Sequence, residues 1–337
     1  MSEPADSDRL VSSAPHARDD SDAPVDVAAL PKAELHCHLG GVLDPEMVRD
    51  LEAAGHGLGL DAAALERCYT VRSISDFVDV YSAYIDGFLR PRDAKLLPLL
   101  VQQVRRWNRQ RVTYAELFVS DILLSRDDLG ELIALYQLYR DTARAEAAPD
   151  LAVSLVACVG RGPLDRLARQ TERIIALYRA RAICGVSLAG FEEQPLEPAE
   201  PLLRRLRDTG MGIEIHAGET GGPASVWDAL RYGYPHRLGH AVTAFHDERL
   251  IDAIAEAGIH LEFCPTSNLR LGCIPRIEAH PLLAARRRGL GFSINTDDPG
   301  AFQCSLTSEL ELAVRHFGLT RADLLAIHAD TVAAGFQ

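Results

Sequence analysis

A closed (β/α)8 TIM barrel, an α/β fold with a helical insertion between strands 1 and 2, is what the sequence predicts. Short apolar, β-branched runs alternate with longer segments of helical periodicity, eight runs in all, which implies a parallel sheet that closes on itself. No Gly-rich phosphate turn follows the first run, as a doubly wound open sheet would want. The polar residues that are unusual for such strands fall at their carboxyl ends, the rim where barrels of this kind keep their sites.

Along the chain, residues 1–26 are rich in Ser, Asp, Ala and Pro with few apolar anchors and read as a disordered acidic tail. Residues 27–337 carry no Pro/Gly/Ser linker and no internal repeat, so they are expected to form one barrel domain. The first strand is expected at 33–38 (AELHCH), with His36 and His38 on one face and Leu35 and Cys37 on the other. The insertion, 41–111, is much longer than an ordinary crossover. Within it Phe77, Val80, Tyr81, Tyr84, Ile85 and Phe88 repeat at helical spacing and form one apolar stripe. That stripe packs on the barrel or forms a wall over its carboxyl face, which makes Phe77 a candidate substrate contact. The remaining strands are expected at 112–119, 151–159, 183–188, 212–217, 237–241, 258–264 and 291–296. Helical patterns lie between most of them, at 164–181, 198–209, 223–232, 247–257 and 280–289.

Composition limits the partners. With 35 Lys and Arg against 48 Asp and Glu, the formal charge of −13 offers no general attraction to nucleic acid or to an anionic membrane. No apolar run approaches the ~20 residues that cross a bilayer, and the amino terminus lacks a secretory pattern. The seven cysteines are scattered with no Cys-x-x-Cys pair, as reduced structural thiols of a cytoplasmic protein would be. A small-molecule partner is expected; nothing in the sequence speaks to the oligomeric state.

The strand ends carry the chemistry. His216 closes the fifth strand ahead of Gly218 and Glu219, His240 closes the sixth, and Asp297 and Asp298 close the eighth. Three imidazoles and a carboxylate, His36, His38, His216 and Asp297, suit a divalent metal with one position left for water. Zn²⁺ is the expected ion, one per chain, and Fe²⁺ or another divalent ion fits the same donors. A His-x-His pair alone is weak evidence, because two core histidines can satisfy each other. Residues contributed by several strands to one rim weigh more, since each buried polar group without a function would cost ~1–3 kcal/mol if unpaired. A bridging lysine for a second metal is missing: the chain has only Lys32, at the wrong end of strand 1, and Lys95 in the insertion.

At these residues the sequence resembles the adenosine deaminase family of metal-dependent hydrolases. The matching stretches are LPKAELHCHLGG (30–41), SLAG (187–190), HAGE (216–219), RLGHAV (237–242), LEFCPTSN (261–268), HPLLAARRRGLGFSINTDDPG (280–300) and IHADTVAAGF (327–336), in family order over nearly everything after the tail. The resemblance implies that His36, His38, His216 and Asp297 hold zinc and that Glu219 gives a proton to the purine ring. It further implies that His240 positions the attacking hydroxide, that Asp298 binds the attacking water and the ring, and that the Gly190 N–H binds the base. Departures are informative as well. Gly40 stands where the family commonly places an acidic residue against the sugar end of adenosine, or Glu in adenine-specific relatives, and Ser187 and Phe191 replace the usual Asp-Leu-x-Gly-Asp.

The chemistry implied is hydrolytic deamination of a 6-aminopurine nucleoside, adenosine or a modified adenosine, to the 6-oxo product and ammonia. The alternatives are deamination of free adenine or of aminodeoxyfutalosine, another metal-assisted hydrolysis on the same scaffold, or a catalytically silent nucleoside-binding relative. His-x-Glu and Pro-Cys-x-x-Cys, the marks of the cytidine-type zinc deaminases, are missing from the sequence.

Overall fold

The computed structural model describes residues 24–56, 69–70, 72–73, 76–77, 96–120, 124 and 126–336. Most of the expected tail, residues 1–23, and the stripe residues Val80, Tyr81, Tyr84, Ile85 and Phe88 lie outside them.

Apolar runs without alternation become strands covered on both faces. The eight strands are β1 Lys32–Glu34, β2 Val112–Ser120, β3 Ala152–Gly160, β4 Gly185–Ala189, β5 Gly212–Ala217, β6 Arg237–His240, β7 His260–Phe263 and β8 Phe292–Ile294. They pair in parallel in the order β1 to β8, and helices alternate with them as expected of a (β/α)8 barrel. Helix ends follow local chemistry. Asp247 accepts the Arg249 N–H ahead of Glu248–Ala257, Gly258 ends that helix at φ +64°, and Leu250, Ile251 and Ile254 form its buried stripe. The insertion contributes helices Pro45–Ala53 and Leu96–Arg109, the second burying Leu99, Leu100, Val104 and Trp107.

The first strand departs from expectation. Regular pairing ends at Glu34, and the chain from Leu35 to His38 closes the barrel against β8 through side chains as well as backbone. Leu35 N donates to Asn295 Oδ1 at 2.9 Å, and Thr296 N donates to Glu34 Oε1 at 2.8 Å. Above them Asp297 N donates to His36 O and His38 N to Asp297 O. Because the pleat is broken here, Leu35 clusters with Ala33 and Tyr114 while the next residue, His36, rests against Phe118, on the same face of β2 as Tyr114. Leu35 therefore does not face away from the histidines as strict alternation predicts; Cys37 does, and Gln103 of the outer helix reaches its sulfur.

At the opposite end Phe336 plugs the barrel. The Phe336 ring lies under the Arg237 guanidinium, 3.4 Å from its central carbon to the ring centroid, and Tyr114 Oη donates to Phe336 O. A Cβ at Gly185 or Gly212 would come within 2.4 or 2.1 Å of that ring, so small residues on β4 and β5 make its seat. Lys32 is at this amino-terminal end too, its ammonium donating to Leu30 O and Gln110 O, far from any bridging role.

Candidate active site

His36 and His38 arrive from the broken end of β1, His216 from β5, His240 from β6 and Asp297 from just past β8. Backbone strain marks two of these positions: His240 and Asp297 both hold left-handed φ values, +62° and +63°, outside the region that non-glycine residues favour. The strands thereby turn side chains inward at the rim that regular pleating would point elsewhere.

The acceptor atoms converge. His38 Nε2 lies 3.3 Å from His216 Nε2 and 3.4 Å from Asp297 Oδ1, and His36 Nε2 lies 3.6 Å from the same oxygen. His36 Nε2 is buried with no hydrogen-bond partner. Two ring nitrogens facing each other and a third left orphaned are costly as bare groups but suit a cation, which all three can ligate together with Asp297 Oδ1. The atoms behind them fit the same reading. Glu262 Oε2 accepts His36 Nδ1–H at 2.8 Å, so in the neutral ring the lone pair is on Nε2. Ser267 Oγ donates to Asp297 Oδ2 at 2.6 Å, leaving Oδ1 free to turn toward the histidines. Among the described residues the groups with metal-binding geometry include His36, His38 and Asp297 as one set and His36, His216 and His240 as another.

Beside this cluster sit the acid–base groups. Glu219 Oε2 is 3.8 Å from His240 Nε2. Burial, reinforced by the charges of Asp297 and Glu192, pushes the Glu219 pKa well above the ordinary carboxylate range. Burial and the adjacent Asp297 charge do the same to Asp298. Burial drives the His240 pKa well below that of a free imidazole, so this ring is neutral. Its tautomer follows from a chain of bonds. Leu282 N donates to His280 Nδ1, which places the His280 proton on Nε2; that proton faces Asn268 Oδ1, and Asn268 Nδ2 donates to His240 Nδ1 at 3.1 Å. His240 therefore presents an N–H, on Nε2, toward Glu219.

The surrounding loops are held tightly. The Glu192 carboxylate accepts the backbone N–H groups of Gly218, Glu219, Thr220 and Gly221 and the Ser225 hydroxyl, fixing the turn that carries Glu219. Asp298 covers Gly41, where any Cβ would fall 1.7 Å from its Oδ1. Gly40 lies in the same 3₁₀ turn, Leu39–Val42, directly after His38, and Gly190 follows β4 at φ +96°. Phe77 stacks on Phe302, centroids 5.6 Å apart, over the short helix that follows Asp298.

Sequence reasoning singled out the histidines, Glu219 and the two aspartates, and the structure gathers them at one rim. It gave no role to Glu192, Asn268, His280 or the charged floor, in which Arg237 joins Glu116 and Glu262. A lone charge within an apolar strand was the available signal for Glu116, Arg237 and Glu262. The six described cysteines are free thiols. Among the described residues no helix is long and apolar enough to cross a membrane.

The family model described as Adenosine deaminase matches residues 31–337. The aminodeoxyfutalosine deaminase of Streptomyces coelicolor is 33% identical over 329 residues, covering 94% of this chain and 84% of that protein. The adenine deaminase of Rhizobium leguminosarum bv. trifolii is 32% identical over 319 residues, covering 91% and 95%. In fold the chain is similar to the crystal structure of adenine deaminase from Arthrobacter aurescens, with TM-score 0.79 at 22% identity over 91% of this chain and 94% of that one. The chain belongs to the adenosine deaminase family, metal-dependent hydrolases that act on C–N bonds.

Proposed function

We propose that this protein removes ammonia hydrolytically from a 6-aminopurine, with aminodeoxyfutalosine ahead of free adenine and adenosine as substrate. The observation that carries the reaction is the meeting of three imidazoles and Asp297 Oδ1 beside a buried carboxyl, Glu219, whose environment keeps it protonated. His36, His38, His216 and Asp297 would hold a divalent ion, Zn²⁺ being our choice. When bound, such an ion acts as a Lewis acid and lowers the pKa of a coordinated water toward ~7.

The residues of the chain supply the remainder. Glu219 gives its proton to the ring nitrogen next to the amine-bearing carbon as the water oxygen bonds to that carbon. The Nε2–H of neutral His240 orients that oxygen, and Asp298, whose pKa would fall toward the ordinary range once a bound ion neutralised the neighbouring Asp297 charge, takes the proton the water loses. The proton passes to the amino group, the C–N bond breaks, ammonia departs, and the 6-oxo ring returns a proton to Glu219. Gly190 offers its backbone N–H to the base.

Substrate choice rests on the sugar side. An adenosine-specific reading expects an acidic group where this chain has Gly40, and adenine-specific relatives commonly have Glu there, so Gly40 favours a 6-aminopurine with a bulkier substituent. Phe191, 57% exposed beside Gly190, adds apolar surface for it. Relatives named aminodeoxyfutalosine deaminase and adenine deaminase support these two substrates over adenosine itself. The test is a panel of aminodeoxyfutalosine, adenine, adenosine and 2′-deoxyadenosine, followed by ammonia release and the ultraviolet change from 6-amino to 6-oxo purine. Preferential turnover of aminodeoxyfutalosine is expected; preference for adenine would establish the second reading, and no turnover of any would overturn the activity.

A further inference from the structure

The two ring nitrogens of His216 have different neighbours. Nε2 faces the metal cluster, whereas Nδ1 points into the barrel, 3.3 Å from Glu214 Oε1 and 3.5 Å from Ser187 Oγ. Glu214 and Ser187 are register partners across β5 and β4, so two adjacent strands aim polar groups at the same nitrogen. Glu214 is wholly buried, and among the described residues neither carboxylate oxygen makes a hydrogen bond of good geometry. A buried carboxylate without strong partners is costly, which asks for a reason to keep it. The neighbouring strand leaves room for it. Gly239, level with His216 on β6, is the one residue that fits, because a Cβ there would lie 2.4 Å from Glu214 Oε1 and 2.9 Å from the His36 ring.

We propose that Glu214 is a positioning residue for the metal. Its carboxylate takes the Nδ1–H of His216, which fixes the tautomer, aims the Nε2 lone pair at the ion and makes that nitrogen more basic. Glu262 does the same for His36 from β7, so two carboxylates beneath the ion hold two of its histidines. The inference rests on the metal reading of His216 and extends it to a residue no motif marks. Ser187, on the partner strand, is placed to carry the same function if given a carboxylate.

The experiment measures Zn²⁺ and Co²⁺ affinity by competition with a chelating indicator, together with the thermal midpoint of each apo protein. Wild type is expected to bind one ion, and Glu214→Gln to bind roughly 10- to 100-fold more weakly. The apo midpoint of Glu214→Gln should be equal to or above that of wild type, because a neutral isostere replaces a carboxylate whose burial is costly. Combining Ser187→Asp with Glu214→Ala should bind more tightly than Glu214→Ala alone. Affinity of Glu214→Gln within about twofold of wild type overturns the proposal while leaving the metal reading intact. A fall in affinity matched by a fall in apo stability assigns Glu214 to packing and overturns it as well. No metal binding by wild type overturns the metal reading, and this inference with it.

Discussion

Glu219 and His240 lie 3.8 Å apart with their titrations displaced in opposite directions: burial favours the protonated carboxyl and the neutral imidazole. Both are the forms the proposed reaction needs, a proton donor to the ring and an N–H donor to the attacking oxygen. Glu219→Gln preserves shape and the backbone bonds to Glu192 but has no acidic proton. Its kcat should fall about 10²- to 10⁴-fold with the metal content unchanged; metal analysis with steady-state kinetics checks this, and near-normal turnover would defeat the assignment. The pH dependence has a defined sign. Because the proposed reaction uses the protonated form of Glu219, the wild-type rate should decline as pH rises through the elevated pKa of this carboxyl, well above the usual carboxylate range. Glu219 is legible from HAGE, whereas His240 is legible only when RLGHAV is read together with the other matching stretches. The tautomer of His240 is not, since it depends on Leu282, His280 and Asn268, brought to it by a loop.

At the scale of elements, the seam between β1 and β8 places three of the four proposed metal ligands, His36, His38 and Asp297. Glu34, wholly buried, accepts from the backbone and hydroxyl of Thr296 and from Trp107 Nε1 at 2.7 Å, tying both strands to the outer helix one step below His36 and Asp297. Glu34→Ala would strand these buried donors and should cost about 3–5 kcal/mol of unfolding free energy. Denaturant titration followed by Trp fluorescence reads it, and a loss below about 1 kcal/mol would mean that water replaces the carboxylate. The sequence showed eight strands in order, because uninterrupted apolar runs and helical periodicity are local signals. It could not show that β1 stops at Glu34: that depends on Asn295 and Thr296, some 260 residues away, competing for the backbone of Leu35 and the side chain of Glu34. The same limit applies to the floor, where Glu116 stands out within a strand but its partner Arg237 is fixed only by barrel closure.

For the whole molecule, the barrel interior collects negative charge in a chain already at −13. Glu116, Glu214, Glu262 and Asp297 are buried with the histidines between them, Arg237 pairing with Glu116 and Glu262 and Arg161 reaching the backbone of His216. A compensating cation relieves such an excess, and the divalent ion proposed at His36, His38, His216 and Asp297 would supply it. Metal binding and folding are then one equilibrium. At free metal about 1,000 times above Kd the linkage is worth ~4 kcal/mol, which for a domain of this size corresponds to a shift on the order of 5–10 °C. Stripping the protein with a strong chelator should lower its thermal midpoint by that much, and readdition of Zn²⁺ should restore it. Added salt should narrow the gap little, because buried charges are screened far less than exposed ones. A midpoint insensitive to chelation, in protein shown to have lost its ion, would mean that the interior balances its charge by protonation, with the metal serving chemistry alone.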